Sequence, residues 1–234
     1  MLPVAILAGG LAKRLHPITE TIPKALVDVA GRPFVMRQLD LLKSQGVHRV
    51  VLCVGYLGEQ IRSQVGDGSR LGMEITYSFD GSRLLGTGGA LRRALSLLGG
   101  QFFVFYGDSY LPVDFGAVER AFVASGKPAL MTVLKNEGRW DRSNVEFRDG
   151  ALVKYDKRHP SAGMTYIDYG LSALTAGALE REETEEPVDL ADLYQSMSER
   201  GLLAGYEVSE RFYEIGSHAG LRDAIDYFRN LEAS

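Results

Sequence analysis

The feature that most restricts this chain's fold is a set of apolar runs at residues 3–7, 48–54, 73–79 and 101–106, separated by segments of helical periodicity. A strand buried on both faces reads as a nearly unbroken hydrophobic run, and such strands occur where helices cover both sides of a parallel sheet. Between the runs, Pro33 opens a predicted helix with Val35, Leu39 and Leu42 on one stripe, closed by Gly46. A short helix is expected over 57–65. A longer one follows the turn Leu85-Gly86-Thr87-Gly88-Gly89, with Ala90, Leu91, Ala94, Leu95 and Leu98 inward. Residues 25–30 read as extended. The alternation predicts an α/β sandwich around a largely parallel sheet, with right-handed crossovers.

From Pro128 onward the pattern becomes strand-rich. Strands are expected at 128–135, 164–175 and 203–208. Residues 144–155 form a hairpin about Asp149-Gly150, a pair suited to a type I′ turn. Residues 136–142 read as a polar loop holding the only tryptophan, Trp140. The acidic run 180–189 reads as a solvated linker or helix end. Helices are expected over 189–199 and 218–231. The expectation is one domain over 1–234 whose texture changes between residues 1–127 and 128–234.

Composition removes several function classes. A net charge of −4 gives nucleic-acid binding no support. The single cysteine, Cys53, lies in an apolar run and reads as a core thiol. The first residues lack a basic n-region and no stretch approaches a membrane span, so a cytoplasmic enzyme without a membrane partner is expected. The four histidines show no zinc-ligand spacing. Neither G-x-G-x-x-G nor G-x-x-x-x-G-K-[ST] occurs, against a dinucleotide oxidoreductase or a P-loop enzyme.

The loop after the first strand carries the chemistry. Gly9-Gly10 lets backbone N–H groups approach a ligand without side-chain obstruction. Lys13, Arg14 and Lys24 follow, with no acid before Glu20. Arginine offers a planar fork to phosphate oxygens and lysine a mobile point charge, so the loop is suited to a polyphosphate. The LGTGG turn points helix N–H groups forward, unless Thr87 simply caps the helix. Asp108 sits just past the carboxyl end of a predicted central strand, the usual place for ligand or metal chemistry in open α/β sheets.

The run Leu7-Ala8-Gly9-Gly10, Arg14, Pro17, Thr19, Pro23-Lys24 closely resembles the signature of the sugar-1-phosphate nucleotidylyltransferases, which make nucleotide-sugars. The resemblance extends over essentially the whole chain and is strongest in the first 25 residues. It implies a three-layer Rossmann-like nucleotide-diphospho-sugar transferase fold with a mixed central sheet, a nucleotide-binding half (1–127) and a strand-rich sugar-phosphate-binding half (128–234). It also implies an NTP and a sugar 1-phosphate as substrates, Mg²⁺ as cofactor and a role in nucleotide-sugar supply, as for cell-envelope polysaccharide. Arg14, Lys24 and Asp108 become the catalytic candidates. Leu7, Ala8, Gly9, Gly10, Asp80, Gly86, Thr87 and Gly88 would contact nucleotide. Gly107, Asp156, Lys157, Asp168 and Tyr169 would contact the sugar phosphate. Asp108 and Glu214 would bind metal, Glu214 standing where the family often has the shorter aspartate.

No glutamine lies in 80–84, where readers of uracil or thymine often carry one. Asp80 offers an acceptor for the N1–H and amino protons of guanine, which favours GTP with a heptose or mannose 1-phosphate. The alternatives are a uridylyl- or thymidylyltransferase, a non-catalytic nucleotide-sugar-binding regulator, and a GT-A-type glycosyltransferase. The last would normally show a D-x-D-like motif, whereas Asp108-Ser109-Tyr110 has no second acid. Both a monomer and a homo-oligomer fit the sequence.

Overall fold

Strands β1 (Val4–Leu7), β2 (Arg49–Val54), β3 (Glu74–Phe79) and β4 (Gln101–Tyr106) run parallel in the spatial order β3-β2-β1-β4. Their alternating side chains feed two cores. Val4, Ile6, Phe103 and Phe105 enter one, and Ala5, Val51, Cys53 and Val104 the other. The first core is closed by α1 (Phe34–Ser44), α2 (Gly58–Val65), α4 (Phe115–Ser125) and α6 (His218–Glu232). The second is closed by α3 (Gly86–Leu98) and α5 (Leu190–Glu199). These faces account for the uninterrupted hydrophobic runs: neither side of the central strands meets water.

The sheet continues antiparallel. β8 (Tyr166–Thr175) lies beside β4 and also pairs with β5 (Ala129–Lys135), while β9 (Leu203–Val208) runs parallel to β5. β6 (Val145–Arg148) and β7 (Ala151–Tyr155) form the expected hairpin, with φ of 50° at Asp149 and 77° at Gly150. The result is a nine-stranded mixed sheet in a computed structural model that describes residues 1–179 and 188–233. Most of the acidic run 180–189 lies outside the described residues; Asp189 itself is the N-cap of α5. Among the described residues, no helix is long and apolar enough to cross a membrane.

One expectation is corrected. Residues 25–30 are not one extended segment. Lys24–Leu26 is a 3₁₀ turn, and Asp28–Val29 then pairs with Arg32–Pro33, turning through Ala30 (φ 53°) and Gly31 (φ 80°). Ser109–Tyr110 and Tyr213–Glu214 form a separate two-stranded antiparallel ladder that no periodicity signals. A two-residue strand is too short to leave a pattern. This small ladder sets Glu214 beside the loop of Asp108, where the Ile215 N–H donates to the Asp108 carbonyl at 2.8 Å.

Candidate active site

Because β1 and β4 are adjacent and parallel, with Leu7 opposite Tyr106, the loops leaving them emerge together. Gly107 is where they touch: its N–H donates to the Leu7 carbonyl at 3.0 Å, and a Cβ there would lie 2.5 Å from that oxygen. Around this junction lies a cavity of about 250 Å³ lined by Leu7, Ala8, Gly9, Gly10, Lys24, Asp80, Gly86, Thr87, Gly107 and Asp108. Nothing lies within 4 Å of a Cβ built on Gly10, which leaves that stretch of backbone open to a ligand. Gly107, expected from the sequence to contact sugar phosphate, lines this first cavity and not the second cleft described below. Its lack of a side chain answers to the close approach of β1.

Asp80 is 6% exposed on the cavity wall, and its Oδ2 accepts from the Leu85 N–H at 3.3 Å. Burial holds its carboxyl above the usual carboxylate range, opposed by the Leu85 hydrogen bond and the Arg93 charge. Carboxylate acceptor capacity remains for a donor on a ligand.

The LGTGG turn differs from its sequence reading. The Gly88 N–H donates to the Val188 carbonyl at 2.8 Å, and a Cβ on Gly86 would lie 2.6 Å from that oxygen. Gly88 therefore does not present its N–H to the cavity, and these glycines admit a segment from the other half of the chain. Thr87 is not the helix cap either. Its Oγ1 donates to Asp189 Oδ1 at 3.1 Å and accepts from the Leu190 N–H at 2.8 Å, tying α3 to α5. Gly86 and Thr87 still line the cavity.

A second cleft of about 590 Å³ opens toward the 128–234 half of the chain and shares Tyr106 and Asp108 with the first. Arg14, Lys157, Asp168, Tyr169 and Glu214 line it. At the wall between the two cavities, Lys24 Nζ pairs with Asp108 Oδ2 at 2.9 Å. Arg14 Nη2, Glu214 Oε2 and Asp108 Oδ2 all lie within 3.3 Å of one point, the place a Cβ would take on Gly216. Gly216 is thus required by the convergence of three charged groups, a role its sequence neighbours do not disclose.

Asp168 lies at the irregularity in β8 and accepts from the Gly170 N–H at 3.0 Å. Burial pushes its carboxyl up to about 6, against the lowering influence of Lys157. Tyr169 is 1% exposed and packs edge-on against Phe212. Asp156, by contrast, is buried away from the cleft. It accepts from the His159 N–H at 2.7 Å and the Arg158 N–H at 3.1 Å, so it shapes the turn that presents Lys157. Those bonds, the His159 one foremost, lower its pKa. The sequence reading also omitted Trp140 and Arg211 from this wall. The Arg211 guanidinium stacks 4.5 Å over the Trp140 ring and pairs with Asp223. The lone tryptophan in a polar loop was the available signal.

A divalent cation fits Asp108 better than Glu214. Among the described residues, no three His, Cys, Asp or Glu side chains gather as a cage. Mg²⁺ needs none, because it keeps several waters and takes phosphate oxygens alongside one or two carboxylates. Asp108 stands where the two cavities meet, partly exposed, with Lys24 as its counter-charge. Glu214 turns back on its own loop, accepting from the Ser217 hydroxyl at 2.8 Å and from the Gly216 N–H. Those contacts commit it to the entry of α6.

A mixed α/β fold with glycine-rich loops, two cations and a carboxylate at the carboxyl ends of parallel strands has the chemistry to receive phosphate groups. The sequence model of the family described as Nucleotidyl transferase matches residues 4–143, and the chain belongs to that family. It is 44% identical over 113 residues to the N-acetylmuramate alpha-1-phosphate uridylyltransferase of Neisseria meningitidis serogroup B, covering 48% of this chain and 49% of that one. It is 27% identical to the D-glycero-alpha-D-manno-heptose 1-phosphate guanylyltransferase of Campylobacter jejuni, covering 90% of this chain and 93% of that one. The chain spans 60% of the length of another relative, the mannose-1-phosphate guanylyltransferase catalytic subunit beta of Xenopus tropicalis, at 27% identity over 90% of this chain. The matches thus span about half of the Neisseria relative and three fifths of the Xenopus one. A crystal structure of a putative glucose-1-phosphate thymidylyltransferase from Bacillus anthracis shares the fold, with a TM-score of 0.85 at 20% identity over 98% of this chain and 96% of that one.

Proposed function

We propose that this protein transfers a nucleotidyl group from an NTP to a sugar 1-phosphate, releasing pyrophosphate. The observation that carries this reading is the sharing of Asp108 and Tyr106 by two cavities, with Lys24 and Arg14 beside the shared wall. An oxygen of the sugar phosphate, held in the second cleft, attacks the α-phosphorus of a nucleotide in the first. The α–β phosphoanhydride bond breaks and pyrophosphate leaves. Such a transfer asks the protein for alignment and charge neutralisation more than for covalent chemistry. Lys24 binds the α-phosphate and the incoming phosphate, exchanging its contact with Asp108 for theirs. Arg14 stabilises charge on the phosphoryl groups and on the departing pyrophosphate. Gly9 and Gly10 hold nucleotide, and Lys157, Asp168 and Tyr169 orient the sugar phosphate. Mg²⁺, held chiefly by Asp108 when bound, supplies neutralisation between the two polyanions. Soluble substrates of this kind put the enzyme in the cytoplasm.

For the base, Asp80 supports guanine, whose N1–H and amino group present adjacent donors to one carboxylate. The name of the Campylobacter relative supports a heptose 1-phosphate as the partner substrate. A thermal-shift screen of the four ribonucleotides and dTTP with Mg²⁺ tests the base. Stabilisation follows occupancy of the native state, so GTP is expected to raise Tm most. A larger shift with UTP or dTTP would overturn the guanine reading and leave the reaction class standing. Pyrophosphate release from NTP plus heptose or mannose 1-phosphate tests the class. A regulatory binder gives none, and a glycosyltransferase gives none from these substrates.

Glu214 is expected to separate charge from capping. Glu214→Gln removes the charge near Arg14 and lowers turnover with little change in Tm. Glu214→Asp keeps the charge but cannot span to Ser217, so it lowers Tm and retains more activity. Equal turnover in both variants and the parent would reduce Glu214 to a helix-entry residue.

A further inference from the structure

Gln38 occupies a position on α1 that periodicity assigns to the core, between Val35, Leu39 and Leu42, and it is 0% exposed. A buried amide must answer for its polar atoms. Its Nε2 donates to the Tyr106 carbonyl at 3.0 Å and to the Ser109 carbonyl at 2.7 Å. Both partners are acceptors, so only the nitrogen end of the amide can face them. Its Oε1 is buried with no partner among the described residues. The fold tolerates that unsatisfied oxygen while both N–H groups converge on one turn.

That turn is Tyr106-Gly107-Asp108-Ser109, and the two carbonyls are its ends. Asp108 lies between them, its carboxylate paired with Lys24 and lining both cavities. The turn is also held by the Gly107 N–H on Leu7 and by the Ile215 N–H on Asp108 itself. Among the described residues, only Gln38 ties its two ends together with one side chain. We propose that Gln38 is a positioning residue for Asp108, fixing the turn that carries the carboxylate. The proposal rests on the reading of Asp108 as the phosphate- and metal-side carboxylate.

Supporting groups of this kind alter metal affinity or activity by about 10–100-fold when removed. Gln38→Met keeps the volume and removes both donors. It is expected to lower turnover by about 10-fold or more and to weaken Mn²⁺ binding by a similar factor, the free ion being followed by electron paramagnetic resonance. The nucleotide KM should change little, because the first cavity's glycine loop is untouched. In an Asp108→Asn background, Gln38→Met should add nothing, since a residue acting through Asp108 has nothing left to position. Gln38→Asn, which keeps an uncharged amide but is one methylene too short to reach both carbonyls, carries the same test should the methionine variant fail to fold. Full loss in both backgrounds, or parental turnover and Mn²⁺ affinity in Gln38→Met while Asp108→Asn remains damaging, would overturn this proposal alone. An Asp108→Asn variant with parental turnover and Mn²⁺ affinity would overturn the Asp108 reading and this proposal with it.

Discussion

Asp108→Ala is expected to lower pyrophosphate release by about 10³-fold or more and to remove the dependence of the residual rate on Mg²⁺. The expectation follows from its position. The carboxylate is the one charged group on the wall common to both cavities, so it meets the nucleotide and the sugar phosphate together. Its removal should not unfold the protein, because the loop is held through backbone atoms. The Ile215 N–H donates to the Asp108 carbonyl and the Gly107 N–H to Leu7, and neither involves the side chain. The carboxylate is itself about one-third exposed, so losing its pairing with Lys24 costs little stability. Circular dichroism and a melting curve alongside the rate would check this. Near-parental turnover would end the assignment of Asp108 to the phosphate and metal chemistry.

Lys24→Ala and Arg14→Ala should each lower the rate by about 10²-fold or more, through charge lost where negative charge gathers in the transition state. Lys24 stands on a 3₁₀ turn closed by the Leu26 N–H on Pro23 and the Val27 N–H on Lys24, both backbone contacts. The alanine variant therefore keeps the turn and loses only the ammonium. It also leaves Asp108 without its counter-charge, so the variant should need a different Mg²⁺ concentration for half-maximal rate. Arg14 shares a crowded point with Glu214 and Asp108, so its removal leaves two carboxylates facing each other. A Tm loss without a rate loss in either variant would make that residue structural.

The parts of the site that sequence disclosed are those encoded within a few residues. The first loop follows from an apolar strand meeting two glycines, and the residues Leu7 to Gly10 line the expected cavity. Asp108 follows from an apolar run ending at Gly107, and the structure puts it at the carboxyl end of β4. Strand alternation and helical stripes carry the layer order, because burial on one face or two leaves a period of 2 or 3.6. Asp149-Gly150 announced its hairpin through the positive φ that such a turn requires.

Other features depend on which partner a polar group meets, in several cases about 70 to 100 residues away, and no local pattern carries that. The glycines of LGTGG look like a ligand cradle, yet Gly86 and Gly88 make room for Val188, about a hundred positions on. Asp156 looks like a sugar contact because it precedes Lys157, yet its oxygens take the N–H groups of its own turn. Gln38 breaks an apolar stripe, a visible oddity whose meaning appears only once the Tyr106–Ser109 turn is seen behind α1. Propensity and periodicity thus determined the elements, the layers and the chemistry available in each loop. The tertiary structure alone decided which loops meet, since that depends on the register of β1 against β4 and on a two-residue ladder at Glu214. A backbone hydrogen bond has the same form whatever residues flank it, so the sequence specifies such a meeting only through the packing of the whole fold.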